Sequence, residues 1–434
     1  MKKIILSLLM LCTAYFVAAQ SIEKIITAKQ VKRIEKVLSA DDMEGRRTFT
    51  PGIQKASSFI EGEFKKIGLQ TFNGAEDFRQ PFFMVQSTNL SARVTLDGKA
   101  IADSLVVAFS FQPTVSMSER SDITLVKISA GDKFGQKFYQ YYQSKKNLLV
   151  LVDTSFKNRL RTVRKMSNIS ATPRENSVVF VVGPTDVNAF LIDLTNAIEK
   201  KPINNVVGVL PGKTKPEELV IFSAHYDHLG IGSPPEGEAH DNKDSIYNGA
   251  NDDAAGTTAV IMLAKYYKKI NNNERTLIFA AFAGEELGGY GSQYFSEQLL
   301  PEKVMAMFNL EMIGTESKWG ANSAYITGFD KTNMGEILQR NLKGSAFTFY
   351  PDPYPEQQLF YRSDNATLAK LGVPAHTIST SKMDAEPNYH KASDEITKLD
   401  LRNMTAVIGS VAISATTIIS GQDTPSRVDT GSLK

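Results

Sequence analysis

The chain has 434 residues, of which 42% are hydrophobic, 9% aromatic and 22% charged. This is the composition of an ordinary globular protein, and it argues against collagen, an intrinsically disordered chain and a polytopic membrane protein. At roughly 150 residues per domain, the length corresponds to about two or three domains. Basic residues exceed acidic ones by only two. Because phosphate binding needs clustered positive charge, nucleic acid is not expected as a partner.

The first 19 residues have the pattern of a secretory signal peptide. Lys2 and Lys3 form a basic start, an apolar run begins at Ile4, and Val17-Ala18-Ala19 is a small-residue cleavage site. An N-terminal membrane anchor is the alternative, but the apolar run is shorter than the ~20 residues of a span. Cleavage would also remove Cys12, the only cysteine, which suits an oxidising compartment. We therefore expect a secreted or periplasmic protein with no stable membrane span after cleavage.

Two amphipathic helices are predicted next, followed by a region of short strands. Apolar residues recur at helical spacing in 27–38 and in 52–67, and Gly68 is a suitable C-cap for the second helix. Short strands are predicted at 92–96, 122–128, 148–152 and 177–182. Basic residues cluster between Lys133 and Arg174, a pattern typical of a solvated face. We predict an inserted subdomain at 85–204, one larger domain from 20–84 and 205–421, and a flexible tail at 422–434.

After residue 205, predicted strands and helices alternate, which implies an α/β fold with a mainly parallel twisted sheet between helices. The strands are predicted at 206–210, 219–224, 276–282, 304–310, 324–327 and 375–378, and the helices at 257–270, 292–299, 333–342, 364–371 and 401–419. Residues 276–282 are nearly all apolar, as in a strand covered on both faces. The first two strands flank a Pro211-Gly212 turn, so they are predicted to pair as a hairpin. In such folds polar residues gather beyond the carboxyl ends of the strands.

Histidines concentrate after one predicted strand. Of the five in the chain, His225, His228 and His240 occur within sixteen residues. His225 and Asp227 are two residues apart, so their side chains lie on the same side of an extended backbone. A carboxylate in that place can accept the second N–H of a metal-binding imidazole; a pair of surface polar residues is the alternative. His376, within the last predicted strand, is expected to be a core histidine with satisfied hydrogen bonds.

Carboxylates adjoin three further predicted elements. Asp252 and Asp253 lie in a loop of small residues before a helix, where capping is the alternative explanation for either one. Glu285 and Glu286 directly follow the apolar strand, where a cation would offset their repulsion and desolvation. A solvated pair at the start of a turn is the alternative there. Glu311 is the lone charge at the end of a strand-like run, so it needs a partner.

With His390 in the loop after the last strand, five successive strand-end loops supply His, Asp, Glu, Glu and His. Imidazole and carboxylate ligands without thiolate favour zinc, with Mn²⁺ or Co²⁺ as substitutes. Five ligands exceed one tetrahedral shell with an open position, so two ions sharing a carboxylate account better for the count. This hypothesis requires the imidazoles of His225 and His390 to lie within about 10 Å of each other.

The motifs HYDHLG, GANDDAAG, AGEELG, NLEMIG and YHKASD, in this order, resemble the M28 zinc peptidases, a family that includes secreted bacterial aminopeptidases. The resemblance covers residues 205–420, and the segment 39–68 is similar to the start of the family's domain. Many members carry a protease-associated subdomain at the place of 85–204. The resemblance implies a peptide substrate, two zinc ions per chain and an exopeptidase that removes N-terminal amino acids.

The resemblance also implies a set of metal ligands. His225 and Glu311 would hold one zinc ion, Glu286 and His390 would hold the other, and Asp252 would bridge both. Glu311 is a departure from the pattern, because the better-known members carry Asp at this position. Glutamate is longer by one CH₂ group and keeps the charge, so it remains able to act as a ligand.

Further residues receive catalytic and binding roles from the same resemblance. Glu285 would be the general base for attack of hydroxide on the peptide carbonyl, and Asp227 would orient His225. Tyr389 stands where some members place a donor to the oxyanion. Arg362 and Asp364, in the segment Arg-Ser-Asp, would bind or support the substrate.

Two other functions are compatible with this fold. Glutaminyl cyclases are acyltransferases that hold one zinc ion, so zinc stoichiometry distinguishes them from a two-zinc peptidase. A non-catalytic, receptor-like protein on the same fold is expected to have lost ligands. A serine hydrolase is disfavoured because no G-x-S-x-G occurs, and an HExxH zincin is excluded because no His-Glu pair occurs. The pattern leaves the oligomeric state open.

Overall fold

The computed structural model describes residues 22–164, 166, 168–183, 185–232 and 244–433. The signal peptide predicted at 1–19 and the residues Cys12 and His240 lie outside this part. The chain divides into two compact units, one formed by Met1–Pro81 with Asn204–Lys434 and the other by Phe82–Ile203. Within the described residues, no helix is both long and apolar enough to cross a membrane.

The strands and helices follow one another along both units. The strands are β1 (Gln70–Thr71), β2 (Arg79–Leu96), β3 (Lys99–Ala100), β4 (Val106–Phe109), β5 (Thr114–Ser118), β6 (Thr124–Ile128), β7 (Leu148–Val152), β8 (Asn168–Ser170), β9 (Val178–Val182), β10 (Phe190–Leu210), β11 (Lys215–His225), β12 (Gly230–Ile231), β13 (Ile246–Tyr247), β14 (Arg275–Phe282), β15 (Val304–Leu310), β16 (Ser323–Ile326), β17 (Thr348–Pro351) and β18 (Ala375–Ser379). The α-helices are α1 (Ala28–Leu38), α2 (Pro51–Ile67), α3 (Phe134–Tyr142), α4 (Lys157–Val163), α5 (Ala255–Ile270), α6 (Tyr290–Glu297), α7 (Met334–Asn341), α8 (Asn365–Ala369), α9 (Leu401–Ser414) and α10 (Thr416–Ile419).

The sheet of the larger unit has the strand order β17-β16-β18-β15-β11-β14-β10. Its four central strands, β18, β15, β11 and β14, are parallel to one another. Helix α5 packs against β11, β14 and β15, and α8 packs against β18. The predicted α/β fold with a mainly parallel sheet is therefore confirmed. Because the central strands run in one direction, their carboxyl ends meet at a single edge.

One predicted strand pairing is wrong. The sequence predicts a hairpin between 206–210 and 219–224, but β14 lies between these two strands. It pairs antiparallel with β10 and parallel with β11. All of β14 is buried. A strand so uniformly apolar is most stable with a neighbour on each side, and that requirement prevails over the local turn signal of Pro211-Gly212.

The two N-terminal helices begin and end as their sequences predict. The hydroxyl of Thr27 accepts the N–H of Gln30 at 3.2 Å and so caps α1. Pro51 occupies the first turn of α2, where no intrahelical donor is needed. Gly68 ends α2 in the left-handed conformation at φ 79°, which glycine adopts without steric cost.

The closing segment is fixed to the larger unit, in contrast to the flexible tail predicted at 422–434. The buried guanidinium of Arg275 donates to the carbonyl of Asp423 at 2.8 Å and to the hydroxyl of Thr424 at 2.6 Å. Arg427 donates to the carbonyl of Val304 at 2.8 Å, and Val428 is buried. Side-chain bonds from a strand to distant backbone hold this segment, and local composition gives no sign of them.

The smaller unit contains a four-stranded sheet in the order β4-β9-β7-β6. Strands β6, β7 and β9 are parallel, and β4 is antiparallel to β9. Strands β7 and β9 are buried along their whole length. The strands predicted at 122–128, 148–152 and 177–182 all occur, each within two residues of its predicted bounds. Among the described residues, neither of the two candidate metal-binding groups falls in this unit.

His376 in β18 is a buried histidine whose ring nitrogens are both bonded. Nδ1 lies 2.8 Å from the carbonyl oxygen of Thr327, and Nε2 lies 2.7 Å from the hydroxyl of Thr332. This pairing suits a neutral imidazole that donates from Nδ1 and accepts at Nε2. Burial lowers the pKa of His376 to about 4. The expectation of a satisfied core histidine is confirmed.

His376 is expected to make the folded protein sensitive to acid. Between pH 6.5, its ordinary pKa, and about pH 4, the unfolded chain binds a proton that the folded chain does not bind. The free energy of unfolding therefore falls as the pH decreases through this window, by about 3 kcal/mol in total, and levels off below it. Urea unfolding at about pH 7 and about pH 4.5 measures the loss. A His376→Gln variant should lose less stability over the same window, and equal losses would contradict the prediction.

Candidate metal centre

The carboxyl ends of the central strands bring the predicted donors to one place. The donors are His225 at the end of β11, Glu285 and Glu286 after β14, Glu311 after β15, His390 in the loop after β18, and Asp252 in the turn before α5. All of these strands are parallel neighbours in the sheet. The site thus assembles from segments far apart in the sequence because the fold aligns their ends.

Asp252 lies between two imidazoles. Its Oδ1 is 3.3 Å from Nε2 of His225, and its Oδ2 is 3.3 Å from Nε2 of His390. His225 Nε2 is also 3.3 Å from Oε1 of Glu311, and His390 Nε2 is 3.3 Å from Oε2 of Glu286. Two atoms bound to one tetrahedral zinc ion at ~2.0–2.1 Å are about 3.3 Å apart. The donor set and its spacing therefore fit two ions that share the carboxylate of Asp252.

Asp253 has a different task from its neighbour. Among the described residues, His225, Asp253 and Glu311 form one group of donors within 4.8 Å of one another, and His228, Asp252 and Glu286 form a second. However, Oδ1 of Asp253 already accepts the N–H groups of Gly256 and Met312, each at 3.0 Å. Asp253 therefore caps the start of α5 and holds the backbone beside Glu311. Helix capping, the alternative explanation given above for either aspartate, therefore applies to Asp253.

The carboxylate of Asp227 does not accept the N–H of His225, the contact that their spacing in the sequence suggests. Nδ1 of His225 lies 3.1 Å from the backbone carbonyl of Asp227 and 3.8 Å from its carboxylate. The carboxylate instead faces the backbone N–H groups of Glu285 and Glu286, at 3.2 and 3.4 Å. Asp227 thus orients His225 through its main chain, while its side chain fixes the turn that carries the glutamate pair.

The turn that carries Asp252 is held by Asp394, a residue that the sequence analysis missed. Its carboxylate accepts the N–H of Asn251 at 2.9 Å and that of Asp252 at 3.0 Å. Its carbonyl accepts the N–H of Ala250 at 3.0 Å. Asp394 ends the motif YHKASD, which also contains His390. An acidic residue at the end of a ligand-bearing motif was the available signal.

Arg46 is a second residue that the sequence analysis missed. It is fully buried and donates to four carbonyl oxygens: Leu38 at 2.7 Å, Tyr226 at 2.9 Å, Asn248 at 2.5 Å and Gly249 at 2.9 Å. Tyr226 follows His225, and Gly249 opens the turn to Asp252. One guanidinium therefore ties the end of α1 to both of these ligand-bearing segments.

Burial and mutual charge set the electrostatics of the site. Burial raises the pKa of Glu285 well above its usual range and that of Asp364 to about 7. Burial alone would also raise the pKa of Asp252, but the imidazoles of His225, His228 and His390 hold it well below its usual range. Dications would favour the charged form of every carboxylate here.

A cavity opens beside these groups. Its lining includes the polar residues Glu285, Glu311 and His390 and an apolar wall formed by Met312, Tyr325, Leu359 and Met383. Such a mixture of a few convergent polar groups with apolar side chains is usual for a small-molecule or substrate site.

Two of the three residues predicted to act on the substrate line the cavity. Tyr389 lines the cavity and stacks on the ring of His390, with centroids 3.9 Å apart. Arg362 also lines the cavity, and it donates to the side chain of Gln357 at 3.1 Å. Asp364 is buried and is not among the residues that line the cavity, so its role in binding or supporting the substrate stays a prediction. Both of its carboxyl oxygens are buried.

The neighbouring Ser363 is another contact that the sequence analysis missed. Its hydroxyl donates to Oε2 of Glu311 at 2.7 Å and accepts from the amide of Asn309 at 2.8 Å. One oxygen of Glu311 is thus fixed by protein, while the other faces His225. The extra CH₂ group of Glu311 is accommodated within this arrangement.

The fold and the site together define a class: α/β proteins in which imidazoles and carboxylates converge as a metal centre at the carboxyl edge of the sheet. Residues 205–414 match the family model described as peptidase family M28. This segment, just under half of the chain, thus matches the family that the motifs had indicated.

Curated relatives match part of the chain. A probable leucine aminopeptidase of Trichophyton verrucosum is 29% identical over 209 residues, which are 46% of this chain and 53% of that protein. Aminopeptidase YwaD of Bacillus subtilis is 29% identical over 139 residues, 31% of this chain and 27% of that protein. The chain thus spans about half the length, or less, of the curated relatives it matches.

Solved structures share the fold over most of the chain. An aminopeptidase from Aneurinibacillus sp. strain AM-1 has a TM-score of 0.55 at 17% identity and covers 92% of this chain and 95% of its own. A zinc aminopeptidase from Bacillus subtilis has a TM-score of 0.54 at 16% identity, covering 92% and 97%. At these identities the likeness concerns the fold.

Proposed function

We propose that the protein is a zinc-dependent aminopeptidase that hydrolyses N-terminal amino acids from peptides. The observation that carries this proposal is the position of Asp252, whose two oxygens each lie 3.3 Å from a different imidazole. The match of residues 205–414 to the model of peptidase family M28 and the aminopeptidase names of the relatives support it.

Two zinc ions per chain account for the donor set. His225 and Glu311 would hold one ion, Glu286 and His390 would hold the other, and Asp252 would bridge them. Imidazole and carboxylate donors without thiolate suit zinc in a catalytic rather than a structural site. When bound, the ions supply Lewis-acid polarisation of the peptide carbonyl and lower the pKa of water toward ~7.

Glu285 is the proposed general base. Its carboxyl group lines the cavity, and its backbone N–H faces the carboxylate of Asp227 at 3.2 Å, which fixes the turn. Glu285 is outside the proposed ligand set, so its carboxylate would be free to take and return a proton. Glu285 would accept the proton of the attacking water and deliver it to the leaving amine.

The cavity wall supports the choice of an exopeptidase with a preference for apolar residues. The positively charged α-amine of the substrate would lie beside the carboxylates. A blocked N-terminus has no such charge and would not be held there. Met312, Tyr325, Leu359 and Met383 would contact the first side chain of the peptide. Tyr389 would donate to the developing oxyanion, and Arg362 would contact the substrate backbone beyond the cleaved bond.

Export is part of the same proposal. The N-terminal sequence, with its basic start, apolar run and Val17-Ala18-Ala19 ending, supports secretion or transfer to the periplasm with removal of residues 1–19. Mass analysis of the protein recovered from its native compartment would show a chain that begins at Gln20.

A panel of aminoacyl p-nitroanilides tests the activity. We expect cleavage of substrates with a free α-amine, because a protonated amine would pair with the carboxylates of the site. We also expect a preference for apolar side chains, because the cavity wall is apolar. N-acetylated versions of the same substrates should remain uncleaved. Chelation should remove the activity, and zinc should restore it.

The panel also separates the alternatives. Equal cleavage of blocked and free substrates would contradict an aminopeptidase and point to an endopeptidase or a general amidase. Zinc analysis of the purified protein should give about two ions per chain. A value of one ion, with cyclisation of N-terminal glutamine and no release of amino acids, would favour the glutaminyl-cyclase reaction.

A further inference from the structure

His228 is a buried histidine beside the proposed metal centre to which the ligand set gives no role. It lies in the loop after β11, and its side chain is fully buried. Its Nδ1 lies 2.7 Å from Oε1 of Glu286 and 3.9 Å from Oδ2 of Asp252. Its ring meets that of His390 edge to face, with centroids 5.8 Å apart.

The spacing distinguishes a hydrogen-bond partner from a ligand. The four donor pairs assigned to zinc are each 3.3 Å apart, which is about the edge of a tetrahedral zinc site. The pair formed by His228 and Glu286 is much shorter, at 2.7 Å, which is the length of a hydrogen bond from a nitrogen to a carboxylate. The geometry therefore favours direct contact between the two side chains over a shared ion.

Neither atom of this pair has another hydrogen-bond partner. Nδ1 of His228 and Oε1 of Glu286 are both buried, and the pair lies within hydrogen-bond distance without ideal alignment. A buried polar atom left unpaired costs about 1–3 kcal/mol. A hydrogen bond between them would satisfy two buried atoms at once.

The backbone fixes the position of the imidazole. The N–H of His228 donates to the carbonyl of Arg46 at 3.3 Å. The ring packs against Gly249, where a Cβ atom would lie only 2.5 Å from it and where φ is +52°. Any larger residue at 249 would displace the ring, so this glycine provides the space that His228 occupies.

We infer that His228 is a positioning residue that donates Nδ1–H to Oε1 of Glu286 and so leaves Oε2 free for the metal. Oε2 is the oxygen that lies 3.3 Å from Nε2 of His390. Fixing one carboxylate oxygen orients the other, and loss of such a contact usually weakens metal binding about 10–100-fold. The inference rests on the proposed two-zinc site but not on peptide cleavage.

Two substitutions at 228 separate hydrogen bonding from packing. His228→Asn keeps an N–H donor near the place of Nδ1, and His228→Leu removes the donor at similar volume. Zinc binding to the full-length protein, measured by competition with a chromophoric chelator, gives the number and affinity of the sites. We expect the leucine variant to weaken one site about 10–100-fold and to leave the other unchanged, and the asparagine variant to bind like the wild type.

A double-mutant cycle tests whether His228 acts through Glu286. In a Glu286→Gln background, His228→Leu should cost no further zinc affinity, because the group that it orients is already altered. Thermal unfolding of the metal-stripped variants shows whether each is folded, and His228→Met provides a second removal of the donor if the leucine variant unfolds.

Three results would overturn the inference. They are unchanged binding at both sites in the leucine and methionine variants, equal weakening in the asparagine and leucine variants, and an additive loss in the double mutant. A protein that binds two zinc ions with this pattern but cleaves no peptide would contradict the proposed function alone.

Discussion

Replacing Glu285 by glutamine should lower kcat by about 10²–10⁴-fold, the usual contribution of a positioned general base. Glutamine keeps the size and the hydrogen-bonding shape of the side chain but cannot accept the proton of the attacking water. Because Glu285 is outside the proposed ligand set, the zinc content should stay at the wild-type level. Steady-state kinetics on the preferred p-nitroanilide, together with metal analysis, measure both effects.

Glu297→Gln is the matched control for this experiment. Glu297 is exposed at the end of α6, where it accepts from Gln293 at 3.3 Å, so its loss should leave kcat unchanged. Substantial activity in the Glu285 variant would remove this residue from the role of base. A parallel loss of zinc would show that Glu285 is needed for metal binding instead.

Replacing Asp252 by asparagine should abolish activity and weaken both zinc sites. Each oxygen of Asp252 faces a different imidazole, so in the proposed two-ion site one substitution would remove an anionic ligand from both ions. Bound ions would contribute several kcal/mol to catalysis, so kcat/KM should fall at least about 10³-fold. Zinc titration by calorimetry, beside kinetics at saturating zinc, measures the two losses separately.

Single-site variants provide the comparison. Glu311→Gln should weaken only the site that contains His225, and Glu286→Gln should weaken only the site that contains His390. The Asp252 variant should combine the two patterns. If it retained one site at wild-type affinity, Asp252 would be an ordinary ligand and the bridging arrangement would be wrong.

The positions of these donors were predictable because the signal is local. His225 ends an apolar strand, Glu285, Glu286 and Glu311 follow such strands closely, and parallel strands place their ends at one edge. The glutamate pair after β14 and the histidine after β11 are therefore neighbours in the structure, as their sequence context indicates. The helices α1 and α2 were predictable for a similar reason, since caps and apolar spacing lie within each segment.

Contacts between distant segments were not predictable in this way. The hairpin prediction was wrong because β10 pairs with β14, which lies more than sixty residues further along the chain. Asp394 binds the turn before α5 through backbone N–H groups, so its position at the end of a motif could suggest a role but not identify its partners. The sequence places His228 close to His225 but does not identify its partner. The 2.7 Å contact with Glu286 depends on how two loops pack against each other.

Arg46 limits how far the protein can be shortened. The segment that matches the family begins at residue 205, whereas Arg46 precedes the smaller unit and donates to Tyr226, Asn248 and Gly249. A fragment that starts at 205 would leave these three carbonyl groups without their donor. The smallest piece able to assemble the centre must therefore carry the opening helices as well, and in engineering terms the two stretches are a single module interrupted by an insertion.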